Sequence, residues 1–167
     1  AVFVSVELCS LTLQKEDLSV ANIVASGLFG DGGAAVVMVG DEHPLAHQSP
    51  VRVAATRSHF IPDSERIMGW DVVDSGFKVV LAPSVAETVA AEMPGALDAI
   101  LAQCDLERGD LGFFVGHPGG PKVLRSAAQA LGLTDDDFAR SWESLARFGN
   151  MSSTSVLFVL ADAISDG

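Results

Sequence analysis

Basic residues are scarce in this chain of 167 residues: ten Lys and Arg stand against 22 Asp and Glu, giving a formal net charge of −12. Such a surplus repels phosphate backbones and anionic lipid surfaces, which argues against nucleic-acid and membrane-surface partners. Long hydrophobic runs are missing as well. The longest, near Ala34 to Val39, falls well short of the roughly 20 apolar residues that a membrane-spanning helix needs. The two cysteines, Cys9 and Cys104, are far apart and have neither a CxxC spacing nor paired histidines nearby. Zinc and dithiol motifs are therefore excluded, no metal site is expected, and a reduced, cytoplasmic protein is the simpler reading. Short-period repeats and low-complexity tracts are also lacking. The opening run Ala1 to Val6 has no Met, no basic leader region, and starts in mid-strand, so a piece of something longer is expected.

What is present is a globular composition, 49% hydrophobic and 19% charged, at a length that can bury one sizeable core. Val2 to Leu8 is β-branched, apolar and of strand length, and Ala34 to Val39 is a second such run; both read as buried strands. A short helix is expected over Asn22 to Ser26, followed by a glycine turn at Gly30 to Gly33. The irregular segment Asp41 to Pro50 is the natural boundary between two structural halves. Val51 to Arg57 reads as a strand, Met68 to Val72 with Gly76 to Leu81 as a hairpin, and Leu111 to Val115 as a further strand.

Ser84 with Glu87 three residues on has the pattern of a capping box, opening a helix that Pro94-Gly95 should interrupt. Pro121 suits the first turn of a helix over Lys122 to Leu131. Thr134 with Asp137 looks like another cap, and Phe138, Trp142 and Leu145 mark a buried stripe ending near Gly149. The last helix is apolar on nearly every face from Val156 to Ile164, so it is expected to be buried all round, as in a layered α/β protein.

Two runs carry the candidate chemistry. His117-Pro118-Gly119-Gly120-Pro121 places a histidine beside Cβ-free backbone that can approach a ligand, and Gly149-Asn150-Met151-Ser152-Ser153 places a carboxamide at a helix start. Histidine and carboxamide N–H groups can together hold a developing oxyanion. Plainer readings stand beside this one: a histidine in such a run can simply hydrogen-bond a turn, and a buried Asn at a helix start is often a cap.

With Phe29-Gly30-Asp31-Gly32 ahead of a strand, these runs resemble the C-terminal half of the type III polyketide synthases, the chalcone- and stilbene-synthase-like branch of the thiolase superfamily. Segments such as Glu7-Leu8-Cys9-Ser10-Leu11-Thr12 and Arg66-Ile67-Met68-Gly69-Trp70-Asp71 resemble the bacterial members, in particular alkylpyrone and alkylresorcinol synthases. The resemblance implies an α/β fold, the thiolase-like layered αβαβα arrangement. It would be present as an incomplete portion, with residues 1–45 ending the N-terminal half and residues 46–167 forming the C-terminal half without its last strands.

The resemblance further implies an acyltransferase that condenses malonyl-CoA with loss of carbon dioxide onto an acyl-CoA starter, then cyclises the product to a pyrone or resorcinol. His117 and Asn150 match the family's catalytic histidine and asparagine, and Phe29 its aromatic gatekeeper. Cys9, Thr12 and Ser152 match pocket positions, and Glu7 an acidic position facing the starter. Gly119 and Gly120 match the glycines beside the histidine, and Val79 a position that is aromatic in plant enzymes, where a smaller side chain widens the route inward.

The nucleophilic cysteine is expected upstream of Ala1, with Cys9 and Cys104 as ordinary buried residues. The implied assembly is a homodimer, and coenzyme A thioesters are substrates, with no cofactor. Two alternatives remain: a ketoacyl-carrier-protein synthase, against which the His117-Pro118-Gly119-Gly120 run speaks, and a non-catalytic thiolase-like fragment.

Overall fold

A computed structural model describes residues 1–166, and the architecture is mixed α/β. Strand β1 (Val2–Leu8) leads through a tight helical turn (Cys9–Thr12) to helix α1 (Val20–Leu28), capped by the Ser19 hydroxyl, which accepts from Asn22 N at 3.3 Å. Strand β2 (Asp31–Val37) returns antiparallel to β1, with Val2 opposite Val37 and Leu8 opposite Asp31. A hairpin follows, β3 (Met68–Val73) and β4 (Gly76–Leu81), with Trp70 and Phe77 edge to face at 6.2 Å.

The helical part consists of α2 (Val85–Leu101), α3 (Pro121–Leu131), α4 (Ala139–Phe148) and α5 (Ser155–Asp166). Pro121 starts α3, where a missing N–H costs nothing because the first helical N–H groups have no intrahelical partner. The core is built on α3: Leu124, Ala127, Ala128 and Leu131 pack with Phe138, and Val89, Met93 and Leu97 of α2 close over them. Thr134 N and Oγ1 both donate to the Asp137 carboxylate (2.7 and 2.8 Å), holding the turn that brings Phe138 in.

Several expectations are corrected. Val51 to Arg57 and Leu111 to Val115 are not strands. Strand-forming composition needs a neighbouring strand to accept its ladder bonds, and among the described residues neither segment has one. Phe114 stacks on Phe138 at 5.2 Å instead, while Phe113 lies under the Arg140 guanidinium at 5.6 Å.

Helix α2 runs unbroken through Pro94, whose carbonyl accepts from Arg108 Nη2 at 3.2 Å while the same guanidinium grips Asp98. Ser84 occupies the cap position without making the side-chain bond. Strands β1 and β2 are not buried: Val4 is 62% exposed and Val37 73%, because nothing among the described residues covers those faces. Helix α5 is buried on one side only, through Val159 and Ala163, with Ile164 exposed.

Leu124 is 1% exposed at the centre of this core, so Leu124→Ala should lower unfolding free energy by about 2–5 kcal/mol, read by chemical denaturation.

Candidate active site

The end of α1 and the start of the α5 segment are joined through the backbone. Asn150 N donates to Leu28 O at 2.8 Å and Gly30 N donates to Asn150 O at 3.0 Å, a single parallel bridge between Phe29 and Asn150. Gly149 makes it possible. Its φ is +71°, and a Cβ there would lie 2.6 Å from Leu28 O, so only glycine fits between the chains.

The Asn150 side chain, 7% exposed, is held at both ends. Its Oδ1 accepts from Ser152 N (2.8 Å), and its Nδ2 donates to Gly119 O (3.1 Å), spending one of its two N–H donors. Gly119 in turn sits against the His117 ring, close enough that a Cβ would be 3.3 Å from His117 Cδ2. His117 and Asn150 thus meet across one residue, as the resemblance implies. The imidazole has an open face to solvent, and burial of the rest lowers its pKa from the ordinary value.

Phe29, Thr12 and Val79, three of the residues expected to line a pocket, do line one cavity together. It has a volume of about 20 Å³, room for roughly a single water, and Leu13, Asn22, Ala25 and Ser26 complete its wall. Val79 is buried in it at 8% exposure. Asn22 is fixed by donating Nδ2 to Gln14 O (2.8 Å) and Asp17 O (2.7 Å). Sequence reasoning missed Asn22, Ala25 and Ser26, although their spacing places them on one face of α1.

Cys9 lies outside this cavity at the end of β1. Burial and the nearby Glu7 and Asp31 carboxylates raise its thiol pKa, so it is a poor nucleophile. Cys104, half-buried, ends the turn after α2. Asp31 braces the Cys9–Thr12 turn by accepting from Ser10 N (2.7 Å) and Ser10 Oγ (2.6 Å). Glu7 accepts from the Ser153 hydroxyl and from Ser153 N (3.3 Å), which holds its carboxyl below the usual range. Ser152 is exposed with φ +53°, and Gly120, with φ +150°, caps α3.

Gly149→Ala should separate Phe29 from Asn150, seen as a fall in melting temperature together with displaced amide resonances of Gly30 and Asn150. In a proton NMR titration of this chain the His117 ring should titrate below an ordinary histidine, because desolvation disfavours its charged form.

Residues 52–166 match the family described as chalcone and stilbene synthases, C-terminal domain. The chain is 49% identical to 1,3,6,8-tetrahydroxynaphthalene synthase of Streptomyces peucetius over 97% of its length, covering 43% of that protein. It is 30% identical to an alpha-pyrone synthesis polyketide synthase-like protein, Pks18, of Mycobacterium tuberculosis, over 96% of this chain and 41% of that one. Among solved structures, 1,3,6,8-tetrahydroxynaphthalene synthase of Streptomyces coelicolor, a bacterial type III polyketide synthase, superposes with a TM-score of 0.90 at 32% identity. That match covers 99% of this chain and 46% of that one, and places the chain in the thiolase-like α/β fold. The chain spans less than half the length of these relatives. With the family match and these identities agreeing, the chain belongs to the chalcone and stilbene synthase family, its residues 52–166 matching the C-terminal domain.

Proposed function

We propose that the protein of which these residues form part is a type III polyketide synthase, an acyltransferase that takes an acyl starter from coenzyme A and extends it with malonyl-CoA before ring closure. The observation that carries the reading is the Asn150 carboxamide hydrogen-bonded to Gly119 O, with the His117 ring packed on Gly119. Loss of carbon dioxide from a malonyl thioester breaks a carbon–carbon bond and leaves its electron pair delocalised onto the thioester oxygen. The His117 N–H and the second Asn150 Nδ2–H are the donors for that oxygen. A buried donor already fixed in place, as the Asn150 carboxamide is, needs no reorganisation when the charge develops.

In this reading Phe29, Thr12 and Val79, which share the wall of one small cavity, belong to the surface that the growing acyl chain meets, and Cys9 and Ser152 keep the pocket positions that the resemblance gives them. Gly119 and Gly120 let the thioester come close to the backbone. Cys9, whose thiol pKa is raised by burial and by Glu7 and Asp31, is a poor candidate for the nucleophile, and the nucleophilic cysteine is the one that the family resemblance places ahead of Ala1. The resulting carbanion attacks the acyl group on that cysteine, forming the new carbon–carbon bond and releasing the thiolate. Coenzyme A thioesters serve as substrates and no further cofactor takes part. The working form is a cytoplasmic homodimer, and residues 1–45 and 46–167 belong to the two thiolase-like halves.

Identity of 49% with a tetrahydroxynaphthalene synthase, against 30% with an alpha-pyrone polyketide synthase, favours a fused naphthalene product over the pyrone or resorcinol expected from the sequence. Radiolabelled malonyl-CoA, supplied to the complete enzyme without carrier protein, should be converted to an aromatic product, and strict dependence on a carrier protein would instead indicate a ketoacyl synthase. His117→Ala should slow carbon dioxide release by about 100- to 1000-fold, and an unchanged rate removes the role given to it.

A further inference from the structure

Asn150 can act only if its carboxamide is held in one orientation, and the bond that orients it comes from an unusual backbone. Ser152 N reaches Asn150 Oδ1 at 2.8 Å because Ser152 adopts φ +53°, a left-handed conformation that side-chain-bearing residues avoid. Such a conformation persists only where its surroundings over-determine it. The next residue, Ser153, is where the restraint is applied.

Strand β1 supplies the restraint, from the far end of the chain. Ser5 and Glu7, two residues apart, project from the same face of the strand. Glu7 Oε1 accepts from both Ser153 N (3.3 Å) and the Ser153 hydroxyl. That hydroxyl has one proton, and with it committed to the carboxylate, its oxygen is left to accept from Ser5 Oγ at 2.7 Å. Ser5 is 6% exposed, and its hydroxyl lies also 3.3 Å from Thr154 Oγ1, which reaches Gly32 O on β2 (3.4 Å). Both strands of the first sheet therefore hold the turn that follows Asn150.

We infer that Ser5 and Glu7 are positioning residues for the proposed decarboxylation: they clamp Ser153, which keeps Ser152 left-handed and its N–H aimed at Asn150 Oδ1, and so fix the carboxamide donor without touching substrate. The inference rests on the function proposed above. It gives Glu7 work beyond facing an acyl starter, and it gives Ser5 a role where sequence reasoning assigned none. The Glu7 carboxyl is held below the usual range chiefly by the Ser153 hydroxyl, the same contact that the clamp is built on.

The clamp is tested in the complete enzyme by steady-state malonyl-CoA decarboxylation. Glu7→Ala and Ser5→Ala should each lower kcat by roughly 10- to 100-fold, the scale of a misplaced group, while KM for malonyl-CoA moves by less than about threefold. Glu7→Gln keeps an oxygen acceptor for Ser153 and should restore most of the rate. In an Asn150→Ala background Glu7→Ala should cost nothing further, because the group it positions is gone. An unchanged kcat in Glu7→Ala, a Gln variant as slow as the Ala variant, or the full loss repeated in the Asn150→Ala background would each overturn the clamp.

A second measurement separates this inference from the function on which it rests. In protein labelled with nitrogen-15 at asparagine, the Asn150 side-chain NH2 resonances should shift in Glu7→Ala and return in Glu7→Gln. Should the wild-type enzyme release no carbon dioxide, the proposed function falls and these resonances still decide the clamp; resonances unmoved by Glu7→Ala overturn it whatever the activity.

Discussion

Two backbone hydrogen bonds, from Asn150 N to Leu28 O and from Gly30 N to Asn150 O, tie together segments more than a hundred residues apart. Backbone groups in a buried seam must find partners, and here each supplies the other's. Because they are main-chain bonds, they place Phe29 and Asn150 side by side regardless of side-chain rotamer. Everything that converges on the site follows from that: the cavity under Phe29 is built outward from α1, and the carboxamide of Asn150 reaches the loop ahead of α3. A side chain on Gly149 would fill the gap the bridge needs, so glycine at that position is a condition of the site's existence.

The site lies where two unlike parts of the molecule meet. On one side, the loop ahead of α3 runs into a helix whose buried face packs through Leu124, Ala127 and Leu131, and the residue before His117, Gly116, lies close against Phe138. On the other, the first sheet grips the Asn150 turn through hydroxyls and a carboxylate rather than through apolar packing. Apolar contacts tolerate small slides, whereas hydrogen bonds fail within a few tenths of an ångström and beyond modest angles. A carboxamide that has to present its N–H in one direction is better held by the second kind.

Much of this was readable in the sequence, and the failures share a cause. Period-two and helical patterns gave β1, the hairpin and α3, and Pro121 marked a helix start because its local chemistry is decided by its own neighbours. Leu111 to Val115 and Val51 to Arg57 misled because strand pairing depends on a partner that lies elsewhere in the chain. The burial expected of β1 failed similarly: an apolar run reports what a strand needs to have covered, not what covers it. At the site, His117 and Asn150 stood out because each lies beside glycine, whereas Phe29, Thr12 and Val79 came only through the family resemblance; the structure sets these three around one small cavity. Ser5 and Ser153 were not, since a serine becomes informative only through what its hydroxyl meets, and here that lies 148 residues away.

The exposed faces of β1 and β2 carry a consequence for the life of the chain before assembly. A two-stranded ribbon with Val2, Val4, Val6 and Val37 uncovered presents unpaired strand edges and apolar surface to any identical neighbour, the usual template for edge-to-edge association. The net charge of −12, which first served only to exclude anionic partners, acts here as a colloidal safeguard. Copies that could zip along those edges must first approach against like charge. Like charge thus opposes edge-to-edge pairing of these 167 residues through the same strand that grips the Asn150 turn.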